Sequence, residues 1–69
     1  MSMAVKGAQA NARAAARALA RGDYHRASKS FDAVIREAQQ LLRSGKRQAA
    51  SALTEAYDRE FERAYDKAR

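Results

Sequence analysis

Hydrophobic positions recur along this chain with the period of an α-helix, in three successive blocks. In the first, Val5, Ala8, Ala12, Ala15 and Leu19 follow one another at steps of 3, 4, 3 and 4. The second runs Tyr24, Ala27, Phe31, Val34, Ala38 and Leu41, with Ile35 and Leu42 at its flanks. The third runs Ala50, Leu53, Tyr57, Phe61, Ala64, Tyr65 and Ala68. Such spacing keeps one stripe of each helix apolar and leaves the rest to solvent. The same steps match coiled-coil seams, so nearly aligned helix packing is expected.

Gly22 and Gly45 separate the blocks. Glycine just past the last turn stops a helix, because it enters the left-handed region without a Cβ penalty. Arg21 and Arg43 precede the two breaks and complement the negative ends of their helix dipoles. Asp23 is placed to cap the helix that follows. The pattern therefore predicts helices near residues 4–20, 23–43 and 46–67 and no strand. Short links make sequential helices antiparallel. The fold class is all-α: an up-down-up three-helix bundle, or a helical hairpin that dimerises, in a single small domain spanning 1–69.

Composition changes this picture in one respect. The chain has 69 residues and 18 alanines, so large side chains are few. A core of this kind barely offsets chain entropy, which makes self-association or a stable partner an expectation. The alanine seam of the first helix permits close backbone approach but buries little area. On area alone, that helix depends most on a partner.

Charge adds a second asymmetry. The net charge is +6, and residues 1–21 hold Lys6, Arg13, Arg17 and Arg21 with no acid. These four project away from the alanine seam and form a basic face suited to phosphates or to an acidic protein surface. No aromatic residue interleaves with them, so stacking on single-stranded bases has no platform. The third helix carries an acidic stripe of Glu55, Asp58, Glu62 and Asp66 beside a basic one of Arg59, Arg63 and Lys67. Glu55–Arg59 and Glu60–Arg63 have the spacing of intrahelical ion pairs.

Several function classes drop out. The chain has no Cys and one His, His25, so thiolate and histidine metal clusters are excluded and no cofactor is expected. The longest apolar run is a triplet such as Ala14–Ala16, too short to span a bilayer, and no secretory h-region is present. A soluble cytoplasmic protein is the expectation. No paired carboxylates, glycine-rich phosphate loop or nucleophile–base spacing suggests an enzyme. The densest chemistry is the ridge of Tyr57, Phe61 and Tyr65, with Asp58 and Glu62 alongside. Two of the three rings carry a hydroxyl, which suits a half-buried surface that receives a partner helix.

Two family resemblances rest on quoted residues. Gly22-Asp23-Tyr24, then Ala27 and Phe31, resembles the middle of a tetratricopeptide repeat over about half a repeat. The first helix carries Asn11, Ala14 and Ala18 where that repeat has large residues. Over nearly the whole chain, Gly22, Tyr24, Ala27, Phe31 and Ile35, with Phe61, Arg63 and Ala64, resemble microtubule-interacting and transport (MIT) domains. Val34 and Tyr65 depart from that pattern. The MIT resemblance implies a three-helix bundle that binds protein tails in interhelical grooves, with Asp58 and Glu62 receiving basic residues. Together these features suggest an adaptor or regulator that binds another protein through helix faces while self-associating as a homo-oligomer. A nucleic-acid-binding protein using the basic face is the alternative.

Overall fold

A computed structural model describes residues 3–68; the ends of the expected 1–69 domain lie outside the described residues. Three helices follow in order: α1 over Met3–Ala20, α2 over Tyr24–Arg43 and α3 over Arg47–Ala68. All three pairs of helices pack against each other, and no strand occurs among the described residues. The fold is an all-α three-helix bundle with extents of 37 × 22 × 14 Å.

Both corners are built as the glycines require. Gly22 and Gly45 have φ of 79° and 75°. At the first corner the Gly22 N–H donates to the Leu19 carbonyl at 2.9 Å, and the Asp23 N–H donates to the Ala18 carbonyl at 2.8 Å. The second repeats this pairing, from Gly45 to Leu42 at 3.0 Å and from Lys46 to Leu41 at 2.8 Å. These are Schellman closures, which satisfy carbonyls that the helix end would leave open. Asp23 also accepts the Arg26 N–H at 3.2 Å and so caps α2. One residue thus ends one helix and starts the next, which leaves little freedom in the α1–α2 hairpin.

The core reverses the expected rank of the helices. In α1, Ala8, Ala12, Ala15, Ala16 and Ala18 are all buried, more residues than either other helix contributes. Ala16 lies about 60° to one side of the expected seam and Ala18 about 100° to the other. This apolar surface is wide enough to take α3 on one flank and α2 on the other. α1 makes its most extensive contact with α3, and α2 and α3 touch each other least. The helix with the fewest large apolar side chains is therefore the central one, because small side chains let two neighbours close onto it.

Opposite the alanines sit the few large core residues. Leu53 and Val34 are the largest side chains that are fully enclosed, with Tyr57 beside them. In α2 only Val34 and Ala38 are fully buried, both in the C-terminal two-thirds of the helix. Its N-terminal stripe does not close: Tyr24 is 70% exposed and Phe31 is 45% exposed. The continuous α2 packing face expected from spacing is thus only partly used.

The seam gives a direct stability test. Ala12 is fully enclosed while Ala10, on the same helix, faces solvent. Ala12→Leu overpacks the α1 contact and is expected to cost about 1–3 kcal/mol. For a domain of this size each such kcal/mol lowers Tm by roughly 4–8 °C. Ala10→Leu is expected to change stability by less than about 0.5 kcal/mol. Thermal melts by circular dichroism compare the two, and equal effects would mean that α1 does not pack through this seam.

Candidate functional site

Where the α2 stripe fails to close, a groove opens between α2 and α3. Its volume is about 410 Å³, and Tyr24, Ala27 and Phe31 line the α2 side. Tyr57 and Phe61 of α3 form its other side, and Ala15 and Leu19 of α1 complete the lining. Asp58 is the one acidic side chain in the lining among the described residues. A smaller depression of about 210 Å³ lies on the far side of the Phe31–Tyr57 contact, bounded by Val34, Ile35 and Thr54. Asp58 borders it too, so one carboxylate stands at the middle of the combined groove.

Four aromatic rings form a continuous series through this region. Phe31 meets Tyr57 across the two helices at 5.5 Å between centroids, inclined by 58°. Tyr57 stacks near-parallel on Phe61 at 6.1 Å, and Phe61 on Tyr65 at 5.8 Å. These distances fall in the range of favourable aromatic pairs. Spacing at i, i+4 and i+8 on one helix produces the stack, and it turns gradually outward along α3. Tyr57 is therefore buried in the core while Phe61 and Tyr65 are partly open. Burial, with the Asp58 carboxylate as the smaller cause, pushes the Tyr57 phenol above its ordinary range. A neutral phenol and a carboxylate beside a ring floor make a recognition surface.

Of the expected partner-binding residues, the structure brings Tyr57, Phe61 and Asp58 into one groove. Tyr65 continues the ring stack beyond it, and Glu62 lies exposed one turn past Asp58. Tyr24, Phe31 and Leu19 belong to the site as well. Their spacing points to packing, yet Tyr24 and Phe31 stay exposed and Leu19 is half-buried once the helices are assembled.

The expected basic face is also rearranged. All four of its residues are exposed, but Arg13 turns toward α3 and its guanidinium lies 3.6 Å from the Glu60 carboxylate. Glu60 is the one buried charged residue among those described, at 9% exposure. Arg63 donates from one terminal nitrogen to both Glu60 oxygens, at 3.1 Å each. That hydrogen bonding leads in holding Glu60 below the ordinary carboxylate range; partial burial opposes it, and the charges of Arg63 and Arg13 add to it. Arg13 and Arg17 then share a cleft of about 330 Å³ with Arg63 and Lys67 of α3, while Lys6 and Arg21 lie outside its lining. The Glu60–Arg63 spacing was visible in the sequence. The bridge to Arg13 was not, because it depends on how α1 and α3 are set along each other. On the exposed face of α3, Glu55 and Arg59 pair at 3.7 Å as their spacing indicates.

Among the described residues, no group of three or more acidic or imidazole side chains is placed to hold a metal ion. Among the same residues, no helix is long and apolar enough to cross a membrane. Compared with protein-family models, curated proteins and solved structures, the chain matches none. The resemblances to tetratricopeptide and MIT helices therefore rest on the residues themselves.

The Glu60 bridge yields a pH test. A carboxylate whose folded pKa is depressed stabilises the fold fully above its unfolded value, about 4.3. That stability is lost as pH falls through the lower folded value. Glu60→Gln is thus expected to lower Tm at pH 7, and the gap from wild type is expected to narrow toward pH 3. Melting curves at both pH values check this; a gap that stays constant would remove the ion pairs from the account.

Proposed function

We propose that this protein is a small non-enzymatic interaction module, an adaptor or a regulator, that takes an amphipathic helix of a partner protein into the α2/α3 groove. The observation carrying this reading is the exposure of Tyr24 and Phe31 beside the Tyr57 and Phe61 rings. Soluble domains seldom leave contiguous aromatic surface open without a use for it. The groove offers apolar depressions on both sides of the Phe31–Tyr57 contact. Those suit large side chains spaced at i and i+3 or i+4 on an incoming helix. Asp58, with Glu62 one turn on, selects for Lys or Arg beside those anchors. The MIT-like residues point the same way, since that family uses interhelical grooves for protein tails.

A second copy of this chain is the competing occupant. Each copy carries a net charge of +6, so pairing brings together like charges and weighs against it. A heterologous partner need not carry that charge, and a basic flank on its helix meets the acidic rim of Asp58 and Glu62.

Affinity capture followed by mass spectrometry tests the proposal with paired variants. Tyr24→Ser with Phe31→Ser alters rings outside the enclosed core, and a circular dichroism melt of the variant checks that loss of the Phe31–Tyr57 contact leaves it folded. It is expected to weaken capture of the wild-type partner by more than about tenfold, as loss of an aromatic anchor does. Asp58→Lys is expected to act in the same direction. Arg13→Gln with Arg17→Gln is expected to retain the partner. Capture unchanged by the groove variants, or lost only in the arginine variant, would refute the groove as the binding site. Light scattering separates the occupants: a monomer is expected, whereas a dimer that Tyr24→Ser/Phe31→Ser dissolves would make the occupant a second copy.

A further inference from the structure

On the other edge of α3 the chemistry is of the opposite sign. α1 contains no carboxylate anywhere between Met3 and Ala20. Its Arg13 and Arg17 face Arg63 and Lys67 across the cleft, with Glu60 at the base. Four cations against one carboxylate leave this cleft with a formal charge of +3. The Arg13 and Arg63 side chains are 46% and 67% exposed, so both present donors to solvent while Glu60 fixes their orientation. A guanidinium has five N–H donors, and Arg63 gives Glu60 only one nitrogen.

We infer that this α1/α3 cleft binds the phosphodiester backbone of double-stranded nucleic acid, without regard to sequence. The charges are arrayed for a polymer. Arg13 and Arg17 are one helical turn apart, about 6 Å along the axis, and so are Arg63 and Lys67. Two antiparallel connections make α1 and α3 run parallel, so the two pairs form parallel rows. A single phosphate would engage one turn of such an array. A polymer with phosphates at regular intervals engages all of it and releases counterions at each contact.

Other polyanionic surfaces fit less well. The apolar residues in the lining are Ala64 and Ala68, too small to anchor an acidic protein or to enter a lipid surface. No aromatic ring lines the cleft, so unpaired bases have nothing to stack on and a duplex backbone is the better match. Contacts confined to phosphates position a protein on a duplex but carry no sequence information. The site shares no lining residue with the α2/α3 groove, so each can fail without the other.

Fluorescence anisotropy with a labelled duplex of about 20 base pairs and arbitrary sequence, titrated between about 50 and 200 mM salt, tests the inference. Four phosphate contacts predict that log affinity falls against log salt with a slope near −3.6, from about −0.9 per contact. Arg17→Gln with Lys67→Gln leaves the Glu60 bridge in place. It is expected to weaken binding at least tenfold and to make the slope shallower by about 2. Arg43→Gln with Lys46→Gln removes the same charge at the α2–α3 corner and is expected to leave affinity and slope near wild type. No binding at the lowest salt overturns the inference. So do equal losses in the two variants, which would mean that net charge alone attracts DNA. Tighter binding of a phosphoserine peptide or of the matched single strand than of the duplex would overturn it as well.

Discussion

The architecture depends on how closely two helices can approach the alanine seam of α1. Ala8, Ala12, Ala15 and Ala16 present almost no side-chain volume, and all are at or near full enclosure. Each contributes little transfer free energy by area. What they permit is dense contact between backbones and neighbouring side chains, and dispersion summed over such contacts is considerable. α3 settles on one flank and α2 on the other. The two sites follow from that geometry. With both outer helices drawn toward α1, the first half of α2 cannot also close on α3, and the aromatic groove stays open. On the opposite flank the approach of α3 to α1 brings Arg13 within reach of Glu60, and the basic cleft forms around that bridge.

Much of the fold was legible in the sequence. Periodicity located three helices to within a residue or so at each end, and Gly22 and Gly45 marked both corners because a left-handed residue was needed there. Asp23 was readable as a cap for the same local reason. Local rules failed where the answer depended on distance between elements. Counting apolar area ranked α1 as marginal, since area cannot express how small residues invite neighbours inward. Periodicity alone makes the α2 stripe a packing face throughout, although its first half, with Tyr24 and Phe31, extends past the surface available to cover it.

The sites were legible in the same partial way. The ridge of Tyr57, Phe61 and Tyr65 with Asp58 and Glu62 belongs to one helix, so its spacing was sufficient to find it. Its division into a buried end and open ones was not, because the stack rotates outward as α3 ascends. The basic face was read from α1 alone. Arg63 and Lys67 join it only through the parallel setting of α1 and α3, which no single-helix pattern encodes. Glu60 shows this most sharply. Its pairing with Arg63 is local, whereas its burial and its hold on Arg13 are tertiary. α3 emerges as the helix that separates two chemistries, with apolar and acidic character toward α2 and basic character toward α1.

If the alanine seam is the keystone, α1 must be as hard to open as the large residues it covers. Native-state hydrogen exchange followed residue by residue by NMR measures this directly. Amides from Ala12 to Ala16 are expected to exchange as slowly as those from Leu53 to Tyr57, through global unfolding alone. Rapid exchange through local detachment of α1, with protection kept in an α2–α3 hairpin, would contradict it.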